Sequence, residues 1–374
     1  MKKKLFVVLM FAAFASLVSC QSQQSLVTTP QESKVPLNSG NLGINLPWLN
    51  KHDGSESVNW LNTDYDAAKI DADLAGIQSL GIKKIRAFLM LESVMDYDET
   101  EFVWNPQARG NLHDFLRKCE ARGISVIVVM NSGNHDGSYA SLDGKFRWNL
   151  IKTQEGINKY IAAQTLYINE YKAYDNILMF ELCNEPYGEL TWSPAAIASE
   201  VTKDEVHSFL KQAYDNAKTL TDIYVGFSEL EEEEQSKYRV FSDPANRTEY
   251  IDDCTDVYSM HFYRPNASYI ADFRNLTNKP RWATEVGNLN YYDPDALVCP
   301  MAGHNELYDT ELNFLAVVDI TKKLIDSGFS CVYPWSWSSN IGMVVHNPDG
   351  THTILKLPIW MKSQLTSRSV SGED

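Results

Sequence analysis

Short apolar segments alternate with amphipathic segments along most of the chain, and this alternation restricts the possible folds more than any other feature. Eight apolar segments predict strands, because short and nearly continuous apolar runs are typical of strands buried on both faces. They lie at residues 41–48, 82–90, 124–130, 176–183, 222–228, 255–263, 281–287 and 330–338. The segments between them predict helices, such as the one over 64–81 that Gly81 ends.

Eight such units in about 330 residues predict an α/β fold, a (β/α)8 TIM barrel that forms one domain over residues 41–374. An open doubly wound sheet is the alternative. The turn after the first strand, "LPWLNKHDG", argues against it, because this turn lacks a glycine-rich phosphate loop. The acidic segment "ELEEEE", residues 229–234, predicts the start of a solvated helix.

The N-terminus has the pattern of an export signal. Three lysines at positions 2–4 precede an apolar segment, residues 5–18, that is too short to span a bilayer comfortably. This segment ends in "LVSC", which resembles a bacterial lipobox, in which the cysteine is diacylated and becomes the new N-terminus. We expect a lipoprotein signal peptide at 1–19, then lipidated Cys20 and a flexible tether up to residue 40. A plain signal peptide with an unrelated cysteine is the alternative.

The net charge of −16 bears on possible partners. An acidic surface argues against nucleic acid and against electrostatic binding to anionic lipids. The lipobox predicts a protein of the cell envelope, periplasmic or surface-exposed, whose membrane contact is the lipid anchor. We also expect a monomer. No pair of the cysteines after Cys20 has metal-ligand spacing, and we predict buried thiols rather than disulfides. No cluster of His, Cys and acidic residues has metal spacing either, so we predict no metal, and we expect no cofactor. The cysteines after Cys20 are Cys119, Cys183, Cys254, Cys299 and Cys331.

Polar and aromatic side chains collect near the carboxyl ends of the predicted strands. In a (β/α)8 barrel these ends form one rim, and the active site lies there. The residues are Arg86, Asn131, Asn184, Glu185, His261, Tyr263, Glu285, Trp335 and Trp337. The strand interiors are apolar, so the rim is the expected place of a functional site.

Two of these residues, Glu185 and Glu285, would face each other across the rim. Cleavage of a glycosidic bond needs such a pair, because one acid must donate a proton while the other is ionised. A separation of about 5–5.5 Å implies a covalent intermediate and retention of configuration. The other residues suit supporting contacts: a hydrogen bond from Asn184 to a sugar 2-hydroxyl, donation to the nucleophile from Arg86 and Tyr263, and stacking on Trp335 or Trp337.

The motifs "FELCNEP", "YSMHFY" and "WATEVG" occur in this order, on the predicted strands four, six and seven. Together they resemble the retaining glycosidases of the clan typified by glycoside hydrolase family 5, the cellulase and β-mannanase family. The resemblance covers residues 40–365. It implies that Glu185 is the acid/base and Glu285 the nucleophile. It also implies supporting roles for Arg86, His261, Tyr263 and Trp335.

One departure from the family pattern concerns the substrate. Cellulases of the family usually end strand three with a histidine, whereas this chain has Asn131 there, which favours a β-1,4-mannan. His135 could fold back into the missing role. The family resemblance alone favours endo action over exo action. An endo-β-glucanase and an exo-β-glycosidase of the same clan remain alternatives. The exo-acting enzyme would be favoured if residues 131–153 and 288–311 formed a closed pocket instead of an open cleft. A glycan-binding lipoprotein without activity is an alternative of another class.

Several residues have a second interpretation. Glu185, which precedes Pro186, could be a carboxylate at a helix N-terminus, where the helix dipole favours a negative charge. Arg86 could pair with Glu181, which has the same strand parity as Glu185 and would point into the barrel. Three further tryptophans in predicted rim loops could be packing residues or sugar platforms. They are Trp48, Trp148 and Trp192.

Overall fold

Eight parallel strands form the central sheet of the protein, whose structure is a computed structural model. Each strand pairs with the strand that follows it in the chain. They are β1 (Ile44–Asn45), β2 (Lys84–Phe88), β3 (Ser125–Val129), β4 (Ile177–Asn184), β5 (Tyr224–Leu230), β6 (Tyr258–Phe262), β7 (Arg281–Val286) and β8 (Cys331–Pro334). This order, with helices between the strands, confirms the predicted (β/α)8 barrel.

The structure describes only part of the chain. The described residues are 38, 40–47, 49–50, 56–57, 60–132, 146–230, 240–241, 243–263, 270, 273, 276, 278–287, 311–337, 344–346, 352–354 and 356–366. The predicted signal peptide, Cys20 and most of the tether lie outside them, as does Cys299. Within the described residues, no helix combines the length and apolar character that crossing a membrane requires.

The last strand pairs with the segment before β1 and so closes the sheet into a barrel. The backbone N–H of Gly43 donates to the carbonyl of Val332 at 2.9 Å, and the N–H of Val332 donates to the carbonyl of Asn41 at 2.9 Å. A parallel bridge between Leu42 and Val332 continues this pairing. Closure satisfies backbone groups that an open sheet would leave at its edge strands.

Long helices follow most of the strands. Those of seven or more described residues are α1 (Ala67–Ser79), α2 (Pro106–Ala121), α3 (Gln154–Tyr171), α4 (Lys203–Leu220), α5 (Pro244–Tyr250), α6 (Glu311–Asp326) and α7 (Lys356–Thr366). Local capping sets where they begin. At the start of α2, Asn105 accepts a hydrogen bond from the N–H of Ala108. At the start of α4, Thr202 and Glu205 form a capping box. The sequence pattern predicts helices over 105–123 and 202–220, and both begin at these caps.

Short elements are the part of the fold that periodicity does not predict, because two to six residues contain too few repeats to show a period. The short helices are Leu91–Val94, Trp148–Ile151, Glu189–Trp192 and Pro194–Ser199. Short antiparallel strand pairs are Leu49–Asn50 with Glu56–Ser57, Met95–Tyr97 with Phe102–Trp104, and Val344–His346 with His352–Ile354.

The buried apolar residues form two clusters, one outside the barrel sheet and one inside it. The larger cluster joins the strands to the helices around them. The smaller cluster is drawn from β3, β4, β7, β8 and the residue before β6, and it fills the barrel interior with Ile127, Met179, Val257, Trp282, Cys331 and Tyr333. The described cysteines after the tether are free and buried, as predicted.

β5 extends further than the sequence suggests. The pattern predicts a strand over 222–228 and a helix start over 229–234, but β5 continues to Leu230. Glu229 is therefore a strand residue with 0% of its surface exposed. The prediction was wrong for Glu229 and Leu230, because a charged residue is rarely buried without partners and two partners of Glu229 come from another part of the chain. Residues 231–234 lie outside the described residues.

Gly43 lies where the barrel closes, and a side chain there would meet the buried ring of Tyr333. An ideal Cβ would lie 2.2 Å from Tyr333 Cε1. We expect Gly43→Ala to lower the free energy of unfolding by about 1–3 kcal/mol, as overpacking does. In Gly110→Ala, the matched control in α2, the new Cβ has no neighbour within 4 Å, and we expect a gain of about 0.5–1 kcal/mol. Urea unfolding measures both, and an unchanged midpoint for Gly43→Ala would contradict this account.

Candidate active site

Glu185 and Glu285 meet at the carboxyl ends of the strands. Glu185 follows the last residue of β4, and Glu285 lies near the end of β7. Between them is His261 of β6, whose Nδ1 is 2.6 Å from Glu185 Oε1 and 3.6 Å from Glu285 Oε2. These side-chain atoms lie within 4.8 Å of one another, and both acids are buried. The structure thus brings the predicted pair together.

The backbone of Glu185 leaves the sheet through a left-handed conformation. Its φ is +47°, a region that costs a residue with a Cβ about 1–2 kcal/mol. The N–H of Glu185 donates to the carbonyl of Ser228 on β5 at 2.8 Å, and its carbonyl accepts from the N–H of Glu189 at 3.0 Å. This bend ends β4 and begins the turn 186–188. Such strain is often found at functional sites.

The buried guanidinium of Arg86 connects the site to the barrel interior. Its Nε and Nη2 donate to the two carboxylate oxygens of Glu181 at 2.8 and 2.5 Å. Its Nη1 donates to Glu285 Oε1 at 2.6 Å, and Nη2 also donates to Asn184 Oδ1 at 2.7 Å. Both interpretations of Arg86 therefore hold, because it pairs with Glu181 and also contacts an acid of the site.

Both carboxylate oxygens of Glu285 accept a hydrogen bond. Arg86 donates to Oε1, and the hydroxyl of Tyr263 donates to Oε2 at 2.5 Å. Burial raises the pKa of Glu285, but His261, Arg86 and Tyr263 oppose this rise. Donors to a carboxylate favour its ionised form and fix its orientation. Glu285 thus has the surroundings of an oriented nucleophile.

Glu185 has different surroundings. Burial raises its pKa to about 7; Arg86 acts against the rise and the charge of Glu181 adds to it. Burial also lowers the pKa of His261 to about 4, so the imidazole beside Glu185 is neutral near pH 7. A carboxylic acid that keeps its proton near neutral pH can donate it to a leaving group.

The backbone N–H groups after Glu185 are bound by another acid. Glu229 Oε2 accepts from the N–H of Tyr187 at 2.8 Å, and Oε1 accepts from the N–H of Gly188 at 3.0 Å. Glu185 contacts His261 instead, so it does not serve as the helix-terminal carboxylate. Glu229 is the rim residue that sequence reasoning missed. If the predicted strand had been extended by two residues, strand alternation would have placed Glu229 on the same face as the buried Phe227.

Asn131 and Trp335 lie at the rim, as predicted. The side-chain amide of Asn131 donates to the carbonyl of Leu182 at 2.7 Å, which joins the ends of β3 and β4. The half-buried ring of Trp335 packs edge-on against Phe88, with ring centroids 6.1 Å apart. Contact of either residue with a substrate stays a prediction.

Trp337, for which the sequence predicts a stacking role, and Trp148, for which it leaves packing and stacking open, are both core residues. Trp337 is 0% exposed, and its indole N–H donates to Asp73 of α1 at 3.0 Å. Such an enclosed ring cannot offer a face to a sugar, so its predicted substrate role was wrong. Trp148 is also buried and packs edge-to-face on Phe146. Trp48, His135 and the side chain of Trp192 lie outside the described residues.

The atoms of Glu185, His261 and Glu285 are also close enough to be considered as metal ligands. Their surroundings do not suit a cation. The guanidinium of Arg86 is 2.6 Å from Glu285 Oε1, and Tyr263 already donates to Oε2. A divalent ion would meet a fixed positive charge and compete for an oxygen that has a donor. The cluster fits proton transfer better than metal binding.

Two acids therefore lie close together at the rim. Glu185 keeps its proton near neutral pH, and the hydrogen-bond donors around Glu285 favour its ionised form. Glycosidic cleavage uses this combination, and (β/α)8 barrels carry their active sites at this rim. Fold and site define the class as glycoside hydrolase. The cellulase (glycosyl hydrolase family 5) model matches residues 40–341, and the chain belongs to this family. No curated protein sequence matches the chain.

Solved structures share the fold at low sequence identity. A GH5_18 protein from Streptomyces cattleya, in complex with Manb1-4GlcNAc, has a TM-score of 0.63 at 16% identity, over 89% of this chain and 82% of that chain. An exo-β-1,4-mannosidase from Opitutaceae bacterium strain TAV5 has 0.61 at 15%, over 90% and 62%. An endo-1,4-β-mannanase from Rhizomucor miehei has 0.56 at 14%, over 83% and 89%.

Glu185→Gln should stabilise the protein more at pH 8 than at pH 5. The unfolded chain ionises Glu185 near the ordinary pKa of 4.5, whereas the folded protein keeps the proton up to about pH 7. The free energy of unfolding of the wild type therefore falls as the pH rises through this window, and that of the variant does not. The difference between the two free energies should change by about 1–3 kcal/mol from pH 5 to pH 8. Urea unfolding at both pH values measures it.

The matched control is Glu155→Gln, which removes an exposed carboxylate from α3. Because this carboxylate is exposed, its loss reports the effect of removing a surface charge without any contribution from burial. If Glu185→Gln behaved like this control, the raised pKa of Glu185 would be wrong.

Proposed function

We propose that the protein is a retaining endo-β-1,4-mannanase, with Glu185 as acid/base and Glu285 as nucleophile. The unequal surroundings of the two acids carry the assignment: Glu185 keeps its proton to about pH 7, whereas Glu285 accepts from Arg86 and Tyr263. One carboxylate oxygen of each acid lies within 4.8 Å of a carboxylate oxygen of the other. This favours retention, for which about 5–5.5 Å is typical, over inversion, which needs about 6.5–9.5 Å to hold a water.

In the first step Glu285 attacks the anomeric carbon. The bond from this carbon to the leaving oxygen breaks, and the proton of Glu185 passes to that oxygen. Arg86 and Tyr263 keep the attacking carboxylate oriented before the step. The products of this step are a glycosyl ester on Glu285 and an ionised Glu185.

In the second step Glu185 acts as a base. It takes a proton from a water whose oxygen attacks the anomeric carbon and displaces Glu285. Esterification has removed the charge of Glu285, which favours the ionised form of Glu185 at this stage. After the step both acids have returned to their starting protonation states.

Asn184 is suited to bind the sugar beside the reacting carbon. Because Arg86 donates to Asn184 Oδ1 at 2.7 Å, the amide orientation is fixed and the Nδ2 donors remain for another acceptor. A hydroxyl at position 2 of the sugar is such an acceptor. The ring of Trp335, at the end of β8, is the described residue best suited to stack on a sugar face.

Two observations support mannan as the substrate. Asn131 stands where cellulases of the family usually have histidine. Among the structures with the same fold are proteins described as an endo-1,4-β-mannanase and an exo-β-1,4-mannosidase. The exo-acting neighbour also makes an exo-β-mannosidase the second candidate. Endo action rests on the family resemblance.

Reducing-sugar release tests the proposal with the protein from residue 21 onward. We expect release from glucomannan and galactomannan, and none from carboxymethyl-cellulose, xyloglucan, mixed-linkage β-glucan or xylan. Glu185→Gln and Glu285→Gln should each lower the rate by about a thousandfold or more, because each removes a reacting group. Release from a glucan alone would keep the mechanism and reject mannan. Folded variants with near-normal rates would reject both residue roles.

We also propose that the mature protein is anchored in the cell envelope through a diacylated Cys20. In a bacterium that processes lipoproteins, radioactive palmitate should label the wild type, and Cys20→Ser should lose the label and leave the membrane fraction. Ser19→Ala keeps a small residue before the cysteine and should retain both. Sedimentation of Cys20→Ser with the membranes would contradict the anchor.

A further inference from the structure

Glu229 binds the turn that follows Glu185. Its carboxylate accepts three backbone N–H groups: Tyr187 at 2.8 Å, Gly188 at 3.0 Å and Leu230 at 2.8 Å. Two of these donors belong to the turn 186–188, and the third belongs to β5 itself. The carboxylate thus ties the turn after β4 to the neighbouring strand.

The turn needs such an acceptor because it is already helical: the N–H of Glu189 donates to the carbonyl of Glu185 at 3.0 Å, which closes a helical turn that leads into the short helix Glu189–Trp192. The first N–H groups of a helix have no partner within the helix, and a side chain just before it usually accepts them. Pro186 has no N–H, so Tyr187 and Gly188 carry the donors in question. The side chain of Glu185 contacts His261 and cannot turn back to cap them. Glu229, supplied by the next strand, takes this capping role.

β5 therefore holds the backbone on both sides of the proposed acid. On one side the carbonyl of Ser228 accepts from the N–H of Glu185 at 2.8 Å. On the other side Glu229 fixes residues 187–188. Between these two attachments the chain passes through the left-handed φ of +47° at Glu185, which a residue with a Cβ adopts only when its surroundings impose it.

We propose that Glu229 is a positioning residue for general acid catalysis: by capping the turn 186–188 it holds the Glu185 carboxyl where it can protonate the leaving oxygen. The inference rests on the proposed role of Glu185 as the acid. Glu229 shares the strand parity of Phe227, whose ring packs against Tyr187 with centroids 5.8 Å apart. It therefore lies beneath the turn, apart from the reacting atoms.

Glu229→Gln tests the proposal with little change in side-chain volume. Glutamine has one acceptor oxygen, so in either orientation its NH2 group would oppose at least one of the three N–H donors. The probes are 2,4-dinitrophenyl and phenyl β-mannobiosides and β-cellobiosides. Dinitrophenolate leaves without a proton, whereas phenolate needs one. We expect kcat/KM to fall about a hundredfold for the phenyl glycosides and less than about threefold for the dinitrophenyl glycosides.

The matched control is Glu92→Gln. Glu92 is also buried and hydrogen-bonded, to Tyr160 at 2.5 Å and Arg147 at 3.0 Å, but it lies in the helix after β2. Its loss removes a buried carboxylate away from the turn and should leave the ratio between the two leaving groups unchanged. An equal loss on both leaving groups in Glu229→Gln would mean a general structural role and would overturn the proposal.

Amide hydrogen exchange provides a readout that does not depend on activity. In the wild type the amides of Tyr187 and Gly188 should exchange slowly, and in Glu229→Gln at least about tenfold faster, with Glu92→Gln unchanged there. Equal exchange in Glu229→Gln and the wild type would overturn the capping role. A wild type that cleaves none of the glycosides would reject the proposed function, while the exchange rates would still decide whether Glu229 caps the turn.

Discussion

The buried guanidinium of Arg86 is the interaction on which the rest of the site depends. A charge without water is costly unless it is paired with good geometry, and Arg86 has a bidentate contact to Glu181 and a single contact to Glu285. Glu181 thereby fixes the guanidinium, and the guanidinium orients Glu285. Glu185 has no direct contact of this kind, so burial keeps its proton on and raises its pKa to about 7.

Barrel geometry makes this network possible. Parallel strands bring all their carboxyl ends to one rim, so residues a hundred positions apart in the chain come within hydrogen-bonding distance. At this rim β5 holds the chain around Glu185 with the carbonyl of Ser228 and the carboxylate of Glu229. Two neighbouring strands therefore set the position of one side chain, and the positive φ at Glu185 results from both.

Long elements and strong motifs were predictable from the sequence because their signals are local. Apolar runs predict the eight barrel strands, and Asn105 and Thr202 mark helix starts through caps that need only neighbouring residues. Where partners are distant, prediction failed. Trp337 looked like a rim residue but is enclosed by the fold and donates to Asp73, and Glu229 looked solvated because its donors lie on the turn after β4.

The sequence by itself determined the order of strands and helices, the identity of the two acids and the family to which their motifs point. Periodicity and residue type encode these properties directly. Only the tertiary structure decided that Arg86 serves both Glu181 and Glu285, and that Glu185 and Glu285 differ in their surroundings. Those properties depend on burial and on distances between strands far apart in the chain, which spacing along a sequence does not contain.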